Sequence, residues 1–254
     1  AWEKVDVRGN EEYKITYELP IDSSGAKITK TFTLKNDSYM FGVEVGLENS
    51  NKYISNFEYQ LAWENSLKLT EFRSDGEGGH AHAFAEMGDE LEVLDVTSKD
   101  EPIKSDLNGQ TSWVASRIKY FTVFLIPDGK KADGSFITGT YSDLPDKGHE
   151  KDYSIALKMA VKNEKSERNK FNVYLGPVDY EILKGYDMNL QSTMRFSLDF
   201  IVRPIAQYAI LPFFLFIHKF ISNWGIVIII FSIVMKVVLT PFTRYQIKKK
   251  KKMG

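Results

Sequence analysis

Between residues 1 and 177, apolar and polar side chains alternate in short runs. Phe41, Val43, Val45 and Leu47 take every second position, as do Phe57, Tyr59, Leu61 and Trp63. Ile28, Phe32 and Leu34 share one side of a further run. Successive side chains on a strand point to opposite faces, so each run predicts one buried face. Tyr120–Ile126, Tyr153–Val161 and Phe171–Leu175 add stretches rich in aromatic and β-branched residues, which suit a pleated, half-buried surface. Turn-forming clusters punctuate the pattern at Asp22 to Gly25, Gly76 to Gly79, Asn108 with Gly109, Pro127 to Gly129, and Asp133 with Gly134. Many short strands, polar turns and no βαβ rhythm predict a mainly β chain, with a large β-sandwich over residues 1–177.

The period changes after Gly176 and Pro177. Val178, Ile182, Leu183, Tyr186 and Leu190 fall at helical spacing, weakened by Gly185, and predict a short helical linker over 178–195. Residues 196–221 carry few charges (Asp199, Arg203, Lys219) and two prolines, Pro204 and Pro212, expected to kink or break a straight helix. That composition suits a helix lying in a membrane interface or one buried in a core. From 223 to 243 the one charged residue is Lys236. Trp224–Phe242 would span roughly 28 Å at 1.5 Å per residue, close to a hydrocarbon core. Its apolar residues favour insertion by roughly 4–7 kcal/mol, against about 2.5–3.5 kcal/mol for a central lysine. A transmembrane α-helix over 223–243 follows, with Trp224 as its interface anchor. Lys248, Lys249, Lys250, Lys251 and Lys252 crowd a basic tail over 244–254, and positive charge marks the cytoplasmic end. The same run could hold anionic lipid or ribosomal RNA, but topology is its simpler role.

Charge sharpens the division. Residues 1–195 hold 24 basic and 33 acidic side chains, whereas 196–254 hold 9 and 1, within a chain of net charge −1. Such asymmetry points to a membrane and excludes a uniformly basic nucleic-acid binder. With no Cys there is no disulfide framework, thiolate metal site or Cys nucleophile. The chain opens without a signal peptide, although the charge pattern places the β domain outside the cytoplasm, so the sequence is expected to be a fragment.

Three segments carry a family resemblance. Trp113 to Phe121, running on to Ile126 and Pro127, resembles a W…KYF…IP strand pair, and Val173–Lys184 a YxGPxxYxxLK segment. Asn223–Lys236 followed by Pro241 to Thr243 resembles NWGxxII…(R/K)…PLT. In this order they resemble the YidC/Oxa/Alb membrane protein insertase family, in its Gram-negative form. The resemblance implies a periplasmic β-supersandwich, an amphipathic interfacial helix and the first helix of a membrane core, in the bacterial inner membrane with the C-terminus cytoplasmic. It implies an insertase and chaperone, not an enzyme, that needs no cofactor. Its partners would be nascent membrane proteins, the Sec translocon, the ribosome and the phospholipid bilayer, with no nucleic-acid specificity. Lys236 aligns with the basic residue of a polar substrate groove, where many members carry Arg. The family's cytoplasmic hairpin and four further core helices have no counterpart here, and the Ser that usually follows Pro241 is missing.

Other candidates are weaker. His80 and His82 alternate like a ligand pair but lack an obvious third ligand. Glu11 with Glu12, Asp89 with Glu90, and Asp100 with Glu101 read as solvated turns. Trp63, Trp113, Tyr120 and Phe121 could line a sugar or peptide cleft, although alternation favours a core position. The competing function is therefore a membrane-anchored, extracytoplasmic β-sandwich that binds carbohydrate or peptide. An anchored sugar-active enzyme would rest on fold analogy alone.

Overall fold

The computed structural model describes residues 9, 11–23, 25–71, 77–145, 148–162, 164–194, 208 and 210–251. The chain divides after Thr193 into two compact units.

The first unit is mainly β. Its strands are β1 (Glu12–Pro20), β2 (Lys27–Lys35), β3 (Met40–Glu48), β4 (Glu58–Trp63), β5 (His82–Met87), β6 (Glu90–Leu94), β7 (Ile103–Arg117), β8 (Phe121–Asp128), β9 (Ala132–Asp143), β10 (His149–Ala160) and β11 (Ser166–Pro177). They form one antiparallel sheet in the order β1-β2-β3-β11-β8-β7-β9-β10-β4, with β5 joined to β7 and β6 joined to β5. Val43, Val45 and Leu47 of β3 share one core with Leu61 of β4, near the opposite end of that order. The sheet therefore closes over itself in two layers, consistent with a β-sandwich.

Strand β7 makes the join. Its first half pairs with β9 and its second half with β5 and β8. Between the halves the ladder shifts register at Asn108–Thr111, where Gly109 has φ +138°. An extra residue at such a point bends and twists the strand, which lets it turn a corner between layers. Asn108 with Gly109 is thus a bulge inside a strand, not the turn its composition predicts. Asp133 with Gly134 likewise lies inside β9. A side chain at 134 would meet the Leu107 carbonyl at 2.4 Å, so the glycine there serves close packing of the ladder.

The alternation of β3 does fix its face. Val43 lies between Phe32 and Phe171, and Leu47 opposite Ile28. The run beginning at Phe57 extends one position too far. Phe57 is 52% exposed at φ +52° in a 3-10 turn (Ser55–Phe57), and β4 starts after it. Left-handed backbone breaks the pleat, so the period-2 argument fails for that residue.

Beyond β11 the expected single helix is two short pieces. Helix α1 (Tyr180–Lys184) starts at Asp179, whose carboxylate accepts from the amides of Glu181 and Ile182, and stops at Gly185. A 3-10 turn (Leu190–Thr193) follows. The segment is not superficial, since Leu183, Leu190 and Thr193 are wholly buried.

In the second unit, α2 (Leu211–His218) and α3 (Trp224–Lys251) are helical. Pro212 sits in the first turn of α2, where its missing N–H costs least, and the backbone before it is already helical, in the wider π form, at Tyr208 and Ile210, so the proline marks a change of helix geometry. Pro204 and half of the interfacial helix expected over 196–221 lie outside the described residues. Helix α3 continues past 243 through Lys248, Lys249, Lys250 and Lys251, while Lys252 lies outside the described residues. No Gly interrupts Arg244–Lys251, and cations favour a helix C-terminus.

Candidate functional site

Lys236 is placed by α3. The helix is started by Asn223, whose Oδ1 accepts from the Gly225 amide at 2.9 Å. Trp224 is half exposed and stacks on the His218 ring, with centroids 3.9 Å apart, at the turn between α2 and α3. Below it Phe213 and Phe214 pack on Phe231, at 5.8 and 4.8 Å. These contacts mark one stripe of α3. At 3.6 residues per turn Lys236 falls on the far side of the helix from Phe231. It is exposed and has no ion pair or side-chain hydrogen bond among the described residues.

Its neighbours on that side are informative. Ser232, one turn earlier, and Thr240, one turn later, share the face with Lys236. The Ser232 hydroxyl donates to the Ile228 carbonyl at 2.9 Å, and the Thr240 hydroxyl donates to the Lys236 carbonyl. Each hydroxyl can therefore sit in an apolar medium without leaving its own proton unpaired. The remaining surface of α3 is apolar and open: Ile229 is 60% exposed, Ile233 59% and Val237 68%. The sequence reading singled out the lysine alone. Helical spacing was sufficient to find Ser232 and Thr240, and their neutrality hid them.

Among the described residues no helix is long and apolar enough to cross a membrane. The part of α3 with described side chains that precedes Val238 covers roughly 21 Å. The whole helix has 28 residues.

In the β unit the predicted ligand pair does not form a metal centre. Among the described residues no three His, Cys, Asp or Glu side chains gather for an ion. His80 lies in a turn. The His82 Nδ1 is 3.0 Å from the His80 carbonyl, and its Nε2 is 3.7 Å from Asp95, which also binds Lys151. Burial pushes the His82 ring below its ordinary pKa, partly offset by the His80 carbonyl. Because the unfolded ring takes up a proton more readily, this contribution to stability is full above about pH 6.5 and is lost as the pH falls toward the folded value. In thermal scans from about pH 7 to about pH 5, the wild type should lose more than His82→Gln. Parallel curves would assign the acid response to other groups.

The four candidate aromatics do not converge on a cleft. Trp113 is 1% exposed, Trp63 packs on the core, and Tyr120 and Phe121 are 43% and 41% exposed. Trp113 instead holds the segment leaving the sheet. Its Nε1 donates to the Met188 carbonyl at 3.0 Å, and its ring meets Phe124 edge-on at 5.1 Å. Beside it Asn189 donates to Glu86 at 2.8 Å, and Arg117 donates to the Thr193 carbonyl. Tyr174, wholly buried, donates to the Pro177 carbonyl at 2.8 Å, and burial raises its pKa. The W…KYF…IP and YxGPxxYxxLK residues are thus largely the fastening of residues 178–193 onto β7, β8 and β11.

Against known proteins, the family described as the YidC periplasmic domain matches residues 2–208. The membrane protein insertase YidC of Chlorobium limicola is 34% identical over 252 residues, covering 99% of this chain and 42% of its own length. That of Chlorobium phaeovibrioides is 36% identical over 250 residues, covering 98% and 42%. The chain thus spans about two-fifths of the length of the curated relatives it matches. A glycosyl hydrolase family 38 protein from Enterococcus faecalis overlays 73% of this chain and 23% of its own, with a TM-score of 0.39 and 13% identity, too slight a likeness to bear on function.

Proposed function

The chain belongs to the YidC periplasmic-domain family, and from that premise we propose that it forms the periplasmic domain and first core helix of a membrane protein insertase. The observation that carries the reading is Lys236: a cation without a partner among the described residues, on a helix whose other exposed positions, Ser232 apart, are apolar. An aqueous protein gains nothing from such a surface, because each exposed Ile or Val forfeits roughly 1.5–3 kcal/mol of burial. Lipid removes that cost. The 28 residues of α3, about 42 Å, exceed the ~30 Å of a hydrocarbon core in length, and the basic end would run on into the cytoplasm. The lysines from 248 to 252 favour the cytoplasmic side for that end. Trp224 and the exposed Phe216 and Phe220 suit the opposite interface. The β unit then lies in the periplasm of the inner membrane.

In this reading Ser232, Lys236 and Thr240 form one wall of a polar groove completed by further core helices. A polar substrate segment crossing a bilayer is penalised by several kcal/mol unless something solvates it. The groove supplies water and one positive charge, so an acidic segment is drawn in and released without covalent chemistry, a cofactor or ATP. The substrates are nascent membrane proteins, delivered by the ribosome directly or through the Sec translocon. The test is reconstitution of the complete protein in liposomes with a ribosome-bound, single-spanning client that bears an acidic N-terminal segment. Protease-protected translocation of that segment should require the insertase. Equal protection in empty liposomes would refute the reading.

A further inference from the structure

Strands β1, β4 and β6 end the sheet, each paired on one side alone among the described residues. The free side of such a strand is a row of unpaired backbone donors and acceptors, which natural proteins blunt with shortness, bulges or charge. Strand β4 has six residues and follows the left-handed turn at Phe57. Strand β6 has five, and a second copy laid antiparallel about its centre would set Glu92 against the partner's Glu92. Strand β1 lacks these protections. It runs for nine residues in unbroken register with β2, from Glu12 opposite Lys35 to Pro20 opposite Lys27. Its Tyr17 and Leu19 are each 62% exposed, on the face where Ile28 and Phe32 of β2 pack on the core.

The residues of β1 match their own reverse. Laid antiparallel against a second copy, about a two-fold axis through Thr16, Lys14 faces the partner's Glu18, and by symmetry the pair occurs twice. Tyr13 faces the partner's Leu19, and Ile15 the partner's Tyr17, so the two exposed apolar side chains of each copy are covered by the two less exposed ones of the other. Neighbouring registers lose this match. An axis through Ile15 sets Glu12 against the partner's Glu18, and one through Tyr17 sets Lys14 against the partner's Pro20. Within one copy Lys14 reaches Glu12 at 3.9 Å and Glu18 reaches Lys27 at 3.5 Å, exposed contacts that hold neither side chain firmly.

We propose that β1 pairs with β1 of a second copy of this chain, joining the two sheets into one across a two-fold axis at Thr16. The inference goes beyond the insertase reading and does not depend on it, since no client or insertion step is measured. The chain has no cysteine, so single introduced thiols report the register. In the full chain in dodecyl maltoside micelles under mild oxidation, Thr16→Cys should form a disulfide dimer, because residues facing each other across the axis have Cα atoms about 4.5–5.5 Å apart. Lys14→Cys and Glu18→Cys should each remain monomeric alone, their own copies lying about 14 Å apart, and should cross-link when mixed. In sedimentation equilibrium the wild type should self-associate with a Kd on the order of 10 µM. Lys14→Glu should weaken this at least tenfold, because two attractive pairs become repulsive together, and the exchange K14E/E18K should restore it to within threefold. That rescue separates pairing of β1 from association through α2 and α3, which would ignore all three variants, and from a loss of fold, which the exchange would not repair. A wild type monomeric at about 200 µM, Lys14→Cys alone cross-linking as readily as Thr16→Cys, or no rescue by the exchange would each overturn the proposal.

Discussion

Trp113→Ala should be the most destabilising single change in the β unit, lowering its thermal midpoint by roughly 6–20 °C. Removing a buried aromatic ring costs about 3–5 kcal/mol, and in a domain of this size each kcal/mol moves the midpoint by about 2–4 °C. Such a loss is a large fraction of the ~5–15 kcal/mol that holds a domain together. Two effects add at this site. The edge-on contact with Phe124 disappears, and the Met188 carbonyl loses its donor. Trp113→Phe separates them, since it keeps a ring but not the indole N–H, and should cost only about 1–3 kcal/mol. Near-ultraviolet circular dichroism of the full chain, followed against temperature, reads both. A Trp113→Ala midpoint within 3 °C of wild type would show that the ring is not a keystone.

Lys236→Glu should reduce insertion of the acidic client at least tenfold, whereas Lys236→Arg should retain it. At 4 Å and an effective dielectric near 20, opposite unit charges attract by about 4 kcal/mol. A third of that, expressed in the barrier, is already a factor of ten in rate. Reversal turns attraction into repulsion, so its effect should exceed that of Lys236→Ala. A client whose translocated segment has no acidic residue separates the two possible origins. If Lys236 acts on the substrate's charge, that client is affected less. If Lys236→Glu merely unseats the helix, both clients fall together, and the groove role is lost. An ordinary snorkelling lysine predicts no effect from Lys236→Ala on either client.

The β character was legible in the sequence, and so was the inward face of β3, because alternation is a direct projection of the pleat; β8, buried on both faces from Thr122 to Ile126, shows only its composition. Glycine was the least readable signal. Gly25, at φ +84°, ends a hairpin as its cluster predicts, but Gly109 bulges a strand and Gly134 lets a neighbouring carbonyl approach. Composition reports conformational freedom, not the use made of it. Proline was more readable: Pro212 lies where π-helical backbone at Tyr208 and Ile210 gives way to α2, a change of geometry of the kind its presence in an apolar run predicts. Lys236 was found because a charge in an apolar run is rare. Ser232 and Thr240 were missed because neither carries a charge, although helical spacing places both beside Lys236.

Strand β11 has a kinetic consequence. It is inserted between β3 and β8, so residues 40–48, paired on one side with β2, find their second partner only at 166–174. Closing so long a loop is entropically unfavourable until the last strand arrives, and such non-local pairing slows folding. A chain threaded through a membrane from its N-terminus would thus hold β1–β3 as an open-edged meander until β11 had crossed. In the proposed topology the domain would complete its fold only after β11 had crossed, and the meander's edge would stay open for pairing until then.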